Sequence, residues 1–505
     1  MPSRLSRGVW LLAALALALH LAVNFATPYE FHRDEFLYFA MGRHLQLWRM
    51  DFPPFIAILA RTVRSTLGDS LPALRLAPAL GGTALLLLTA ACARTLGGGR
   101  GAQLLTVLAV FANPLFLRTA SLFHPVVFDQ LWWTLAFYGL LRIGQADEPR
   151  WWVLLGAAGG LGLLTKFSIG VPAVGIGLAL VTSRHRGALA TRWPWVGLAI
   201  ALLIGSPSIV GQIRLDWPVL GQMSDLRTSQ FVHVTVADFL AHQLLYGPAT
   251  FLGLVGVIAL LRRHDLAWAR PVGVATLASF LLVLVLGGKA YYVGPVYPVL
   301  CAAGAVTLER WSVPAARPVR WGLAALLTLY GVGILPVGVP LLPPEPMSRY
   351  AQWVFGGETL KTNWGGVERL PQDYADMLGW RAQVDTVARV FRSLSPEDQR
   401  DAVIVGDNYG RAGALDFYGP RVGLPAPIST AGSFWFFGPG LKPGRVVIVV
   451  GDDREDLEKF FGDIQPAARF THPWMVSEER DVTIWVCRQP RGTLQEAWPS
   501  LQVPR

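Results

Sequence analysis

His32, Arg33, Asp34 and Glu35 follow directly on an apolar run over residues 8–27, so four ionisable side chains stand where a lipid headgroup would sit. A carboxylate can take a proton from an attacking hydroxyl, and cations beside it can stabilise a departing phosphate. Solvated loop charge is the plain alternative, yet four such residues in a row exceed what solubility needs. Asp129, in SLFHPVVFDQLWW, falls about one turn inside another apolar run, where a carboxylate must face a cavity or a partner. Its alternative role is a structural hydrogen bond to a neighbouring helix, and His124 just before it reads as an interfacial side chain. Lys166 and Lys289 are the only lysines before residue 343, and Tyr291 and Tyr292 follow Lys289 closely. An ammonium group binds phosphate as a point charge, whereas snorkelling to the interface is the competing use of a lysine at a helix end.

These residues are carried on apolar segments. Hydrophobic residues make up 52% of the 505-residue chain and charged residues 15%, too few charges for an ordinary soluble protein. Runs near bilayer-spanning length occur at 8–27, 71–92, 102–119, 126–142, 151–165, 168–183, 195–213, 239–261, 271–287, 292–308 and 321–342. The formal charge of +10 is not spread along one basic face, which argues against nucleic acid. It sits in short clusters that include Arg94 with Arg100, Arg184 with Arg186, and Arg310 with Arg317. With these clusters placed in the cytoplasm, eleven spans put the first loop, both lysines and everything after residue 343 outside. The first span is read as uncleaved.

Residues 28–70 form the longest loop between spans and should carry two interfacial helices, DEFLYFAMGRHLQLW and PPFIAILARTVRSTLG. Residues 344–505 differ in composition. AVIVG at 402–406, RVVIVVG at 445–451 and VTIWVC at 482–487 read as strands, and 373–393 and 453–461 as helices, giving an α/β domain behind a membrane domain of residues 1–343. Cys92, Cys301 and Cys487 offer neither a disulfide framework nor metal-ligand spacing. No GxxxxGK[ST] loop or GxGxxG turn is present, so an activated substrate should arrive on the lipid side.

In its motifs the chain resembles glycosyltransferase family 39 of the GT-C superfamily, which includes protein O-mannosyltransferases and the aminoarabinose transferases that modify lipid A. The resemblance rests on Asp34 and Glu35, Asp51 with Pro53 and Pro54, ArgLeu at 75 and 76, Asp129 shortly before LeuTrpTrp, LeuThrLys ending at 166, and LysAlaTyrTyr at 289–292. It covers most of residues 8–310, and Phe52 stands where the family often has His or Lys. The tail resembles the C-terminal region of uncharacterised bacterial members through LeuProGlnAspTyr at 370–374, GlyTrp at 379 and 380, and AsnTyrGly at 408–410.

The resemblance implies a polytopic α-helical GT-C membrane protein of about eleven transmembrane helices with an extracytoplasmic C-terminal α/β domain. It implies an inverting glycosyltransferase of the plasma or inner membrane that takes a sugar from a polyprenyl-phosphate donor to a lipid, glycan or protein acceptor. Asp34 is then the general base with Glu35 as its catalytic neighbour. Arg33, Asp51, Arg75, Asp129, Lys166, Lys289 and Tyr292 bind substrate. No cofactor is required, although a divalent cation bridging carboxylates and phosphate is compatible with the set. A multi-span transporter or flippase of a lipid-linked or polyanionic substrate is the rival reading. It should show paired broken helices in two halves, which the sequence lacks.

Overall fold

The computed structural model describes residues 4–146, 148–311, 316–356, 360, 362 and 366–501, so residues 502–505 of the expected C-terminal region lie outside the described residues. Ser6 starts the first helix, its hydroxyl accepting from the Val9 amide, and α1 runs Arg7–Ala26. Two short helices follow in the first loop, α2 (Arg33–Arg43) and α3 (Phe55–Leu67). Then come α4 (Leu71–Thr95), α5 (Arg100–Phe111), α6 (Pro114–Ala120), α7 (Pro125–Gln145), α8 (Pro149–Thr165), α9 (Gly170–Thr182), α10 (Trp193–Arg214), α11 (Pro218–Ser229), α12 (Val236–Gln243), α13 (Pro248–Arg262), α14 (Arg270–Val285), α15 (Tyr297–Glu309) and α16 (Ala316–Gly338).

Each of the eleven apolar runs is mainly helical, with breaks at 112–113, at 247 and after 338. Among the described residues six helices are long and apolar enough to cross a membrane, and nine if each bent pair counts as one span; α7 and α8, of 21 and 17 residues, are not among them. The bends correct the simple run reading. The run at 102–119 turns by 69° between α5 and α6, and the run at 239–261 turns by 105° between α12 and α13. Asn113–Pro114 and Gly247–Pro248 stand at those breaks, where proline lacks the amide that would continue a helix but suits its first turn.

The expected basic loops share one end of the helices. Glu309 accepts from the amides of Gly99 and Ala102 at 2.5 and 3.0 Å, and Arg310 bonds the Leu96 carbonyl and Asp265, both at 2.8 Å. The first-loop helices depart from expectation. Both form, but α2 is no amphipathic surface helix: Glu35, Phe36 and Tyr38 through Gly42 are buried. Its second face is covered by the C-terminal region, and a side-chain carbon at Gly413 would stand 2.7 Å from Phe36 Cβ, so the two helices approach as closely as glycine allows.

The tail contributes α17 (Pro344–Phe355), α18 (Gln372–Ala375), α19 (Trp380–Ser393), α20 (Pro396–Asp401), α21 (Tyr409–Tyr418) and α22 (Ser433–Phe437) around a four-stranded sheet. Its strands are β1 (Val403–Gly406), β2 (Val446–Val450), β3 (Phe461–Thr471) and β4 (Asp481–Pro490), in the order β1-β2-β4-β3. β1 and β2 are parallel and the other pairs antiparallel. The three expected strands are present, and β2 is buried at all five positions as its unbroken valine and isoleucine run requires. β3 was hidden in the sequence. It is an edge strand whose register shifts between Pro466 and Ala468, so proline and polar residues are tolerated where an inner strand would exclude them. The helix expected at 453–461 shrinks to Arg454–Leu457 because Phe461 opens that strand.

Candidate active site

The start of α2 is fixed from both sides. The Asp34 amide donates to Nδ1 of His32 at 3.1 Å, and the His32 amide donates to Oε2 of Glu35 at 2.6 Å, closing a reciprocal cap. Two backbone bonds then tie the tail to this turn: Glu30 N to Met377 O at 2.8 Å and Arg33 N to Asp376 O at 3.0 Å.

Glu35 and Asp34 therefore point into different surroundings. The Glu35 carboxylate is 1% exposed and accepts from Arg75 Nε at 2.9 Å, Arg75 Nη2 at 2.6 Å and the Phe123 amide at 2.7 Å, besides the His32 amide. Burial would raise its pKa, but Arg75 and the two amides outweigh burial and hold the carboxyl below the ordinary range. With every lone pair engaged, Glu35 has no capacity left for a substrate. The same bonds correct the substrate role expected for Arg75, whose guanidinium is 0% exposed and also reaches the Glu30 carbonyl at 3.2 Å.

Asp34 is the open carboxylate, its side chain 30% exposed. Oδ1 accepts from the Tyr409 hydroxyl at 2.9 Å, and Oδ2 lies 3.6 Å from His124 Nε2 and 4.0 Å from His32 Nδ1. The second ring nitrogen of His124 accepts from the Val126 amide at 3.3 Å, which directs an Nε2 proton toward Asp34 and Tyr38, whose oxygen is 3.0 Å away. Burial pushes the Asp34 pKa up, yet His124, His32 and Arg33 outweigh it and hold the carboxyl well below the usual carboxylate range. Arg33 lies 4.6 Å over the Tyr409 ring and 3.7 Å from Glu478.

Cations and further carboxylates gather beside it. Lys289 Nζ donates to Gln230 Oε1 at 2.6 Å, and burial pushes its pKa down to about 8 against the pull of Asp373 and Asp34. Lys166 stands 4.9 Å over the Tyr292 ring and acts on both Lys289 and Asp129. Asp129 is buried, accepting from the Ser168 hydroxyl at 2.7 Å. Thus Asp34, Lys289, Lys166, Asp129 and Tyr292 belong to one neighbourhood. Asp51 follows α2: its Oδ2 accepts from Ser433 at 3.0 Å and its carbonyl from Gln212 at 2.6 Å, and the adjoining Phe52 ring stands 6.1 Å from that of Tyr38.

Four contributors escaped the sequence reading. Arg118 in α6 pairs with Asp373 at 3.0 Å, stacks 4.5 Å over Tyr374, and buries Nη1 and Nη2 without a hydrogen-bond partner. Asp373 and Tyr409 come from the tail. His124, read as interfacial, directs a nitrogen at Asp34. The clue available was positional, since LeuProGlnAspTyr and AsnTyrGly carry Asp373 and Tyr409. Among the described residues no group of three or more His, Cys, Asp and Glu side chains is placed to hold a metal ion.

A family model described as dolichyl-phosphate-mannose-protein mannosyltransferase matches residues 51–210, a stretch that contains Asp129 and Lys166 but not Asp34. The ArnT structure from Cupriavidus metallidurans in the apo state aligns over 94% of this chain and 97% of its own, with 19% identity and a TM-score of 0.61. This chain has the GT-C fold. The same ArnT bound to undecaprenyl phosphate aligns over equal shares with 17% identity and a TM-score of 0.60. The GT-C fold and its helical bundle agree with the motif resemblance, and the alignment extends through the tail. No curated protein matches the chain.

Proposed function

We propose that this GT-C chain is an inverting glycosyltransferase that moves a sugar from a polyprenyl-phosphate donor to an acceptor hydroxyl on the extracytoplasmic face. The observation that carries the reading is Asp34, an accessible carboxylate held ionised by His124, His32 and Arg33, with Lys289 close enough to feel its charge. The ArnT structure of the same fold with undecaprenyl phosphate supports the donor class.

In the reaction so assigned, the bond between the anomeric carbon and the phosphate oxygen breaks and negative charge grows on the phosphate. Lys289, Lys166 and the two unsatisfied nitrogens of Arg118 stabilise that charge, each as a charge-assisted donor. The acceptor hydroxyl attacks the opposite face of the sugar and passes its proton to Asp34. A carboxylate held this acidic is a weak base, so the proton moves late, once bonding to the electron-poor anomeric carbon has acidified the hydroxyl. Tyr409 fixes the Asp34 carboxylate by occupying Oδ1, which leaves Oδ2 for the acceptor. Glu35 takes a positioning role: through Arg75 and the Phe123 amide it locks the turn that presents Asp34. The chemistry uses side chains alone.

Lipids of a deletion strain test the assignment. A polyprenyl-phosphate sugar should accumulate while one envelope glycan loses a substituent, and restoring the gene should reverse both. An unchanged lipid and glycan profile would overturn the reading. Sidedness has its own test, since a reporter fused after residue 343 should be extracytoplasmic and a cytoplasmic signal would remove the site from the proposed face.

A further inference from the structure

A cavity of about 420 Å³ opens beyond the far end of α2, lined by Gln46, Arg49, Arg214, Asp216, Trp435 and Trp498 among others. From the ideal rise of 1.5 Å per residue, the length of α2 puts it on the order of 15 Å from Asp34. Its volume lies in the range of about 300–1,000 Å³ typical of small-molecule sites. We propose that this cavity binds an acidic saccharide unit of the acceptor, remote from the hydroxyl that reacts; the inference rests on the glycosyl-transfer reading above.

Three observations converge. The lining pairs aromatic faces with guanidinium groups, Trp435, Phe436 and Trp498 with Arg49 and Arg214. Aromatic faces pack against the C–H faces of a sugar ring, and a guanidinium binds carboxylate or phosphate through two parallel bonds. Two cations face one carboxylate, Asp216, which leaves a positive balance for an anionic ligand.

The walls are also built rather than incidental. Trp435 and Trp498 exchange indole-to-carbonyl bonds, Nε1 of each to the carbonyl of the other at 3.1 and 3.0 Å, so the two rings are held in place. Gln212, buried in α10 two residues before Arg214, donates to the Asp51 carbonyl at 2.6 Å and accepts from the Val219 amide at 2.9 Å. Arg214 Nη1 reaches the Trp48 carbonyl at 3.4 Å.

Finally, Asp216 and Trp217 are consecutive non-glycine residues in the left-handed region, with φ of 59° and 55°. Such strain persists only where the surroundings over-determine it, and it concentrates at ligand clamps. Gln212 supplies that constraint, its carbonyl also accepting from the Trp217 amide at 2.7 Å. The acceptor would then be long enough to hold an acidic unit here while presenting a hydroxyl at Asp34, and binding energy from the remote unit would serve to orient the reacting one.

Isothermal titration of the purified full-length protein with tetragalacturonate, and with neutral maltotetraose of equal length, tests this. Tetragalacturonate should bind saturably, maltotetraose about tenfold or more weakly, and Arg49→Gln with Arg214→Gln should lose about tenfold or more in affinity for the acidic ligand. Both arginine side chains are exposed, so the double variant should melt like the parent. Asp34→Asn should bind tetragalacturonate as the parent does. No saturable binding, equal binding of the two ligands, or unchanged binding by a folded double variant would each overturn the proposal. If binding is cavity-dependent but the deletion strain accumulates no lipid-linked sugar, the cavity stands and glycosyl transfer fails; if the reverse holds, this inference alone fails.

Discussion

The rim of the site at Asp34 and the floor beneath it at Glu35 are one residue apart in sequence and opposite in construction. The floor is dry and its carboxylate is saturated: Glu35 bonds Arg75 and two amides, and neither partner of that pair meets solvent, although Arg75 Nη1 has no hydrogen-bond partner. The rim is open and only partly satisfied, with Asp34 held by Tyr409 on one oxygen and facing histidine across 3.6 Å on the other. Adjacent carboxylates on a helix start point about 100° apart, so one can be structural while its neighbour stays available to substrate. A pair of acidic residues is thus a poor unit for assigning roles.

The comparison breaks most violently at the floor. Glu35→Ala leaves the Arg75 guanidinium buried and unpaired, which should cost about 3–5 kcal/mol and abolish folded protein in detergent extracts. Glu35→Gln combined with Arg75→Met should recover much of the thermal stability, because a buried ion pair replaced as a pair is close to neutral. Recovery of protein without recovery of full activity, measured by melting and by transfer, would separate positioning from folding.

Next in size is Lys289→Ala. Losing a charged contact to phosphate should weaken polyprenyl-phosphate binding by about 1.5–3 kcal/mol in a direct titration and lower the transfer rate as well. Tyr409→Phe is smaller: it frees Oδ1 without touching phosphate, so kcat should fall about tenfold while donor affinity stays unchanged.

The pH profile sharpens the contrast further. Asp34 is held well below the usual carboxylate range, so it stays ionised as pH falls from neutral through the ordinary carboxylate region and should impose no acidic limb there. Lys289 is charged below its lowered pKa and neutral above it, so kcat/KM for the donor should decline as pH rises through about 8. Lys289→Arg should carry that limb to higher pH. The smallest effect expected is from EDTA, which should leave the rate unchanged because side chains supply all the charge stabilisation assigned here.

Much of this arrangement is legible in the sequence. The apolar runs became helices, since a segment that must satisfy its backbone internally has few other choices. Asp34, Lys166, Lys289 and Asp129 were singled out because charge in apolar surroundings is costly and needs a reason. The role of Glu35 was not legible, as its direction depends on a cap by His32 and on Arg75, 40 positions away. His32 three residues before Glu35 was the available hint of that cap. Tyr409 reaches Asp34 across 375 positions, a pairing no local pattern encodes. The bends at Asn113–Pro114 and Gly247–Pro248 could have been found from proline placement, whereas β3 could not, because an edge strand need not alternate.

The central claim is that Asp34 removes the acceptor proton while the surrounding cations hold the donor. Purified Asp34→Asn, supplied with a polyprenyl-phosphate sugar and an acceptor, tests it most directly when turnover and polyprenyl-phosphate affinity are measured on the same preparation. The rate should fall by about 10²–10⁴ with affinity nearly unchanged. A rate within a few-fold of the parent, at equal affinity, would contradict the account.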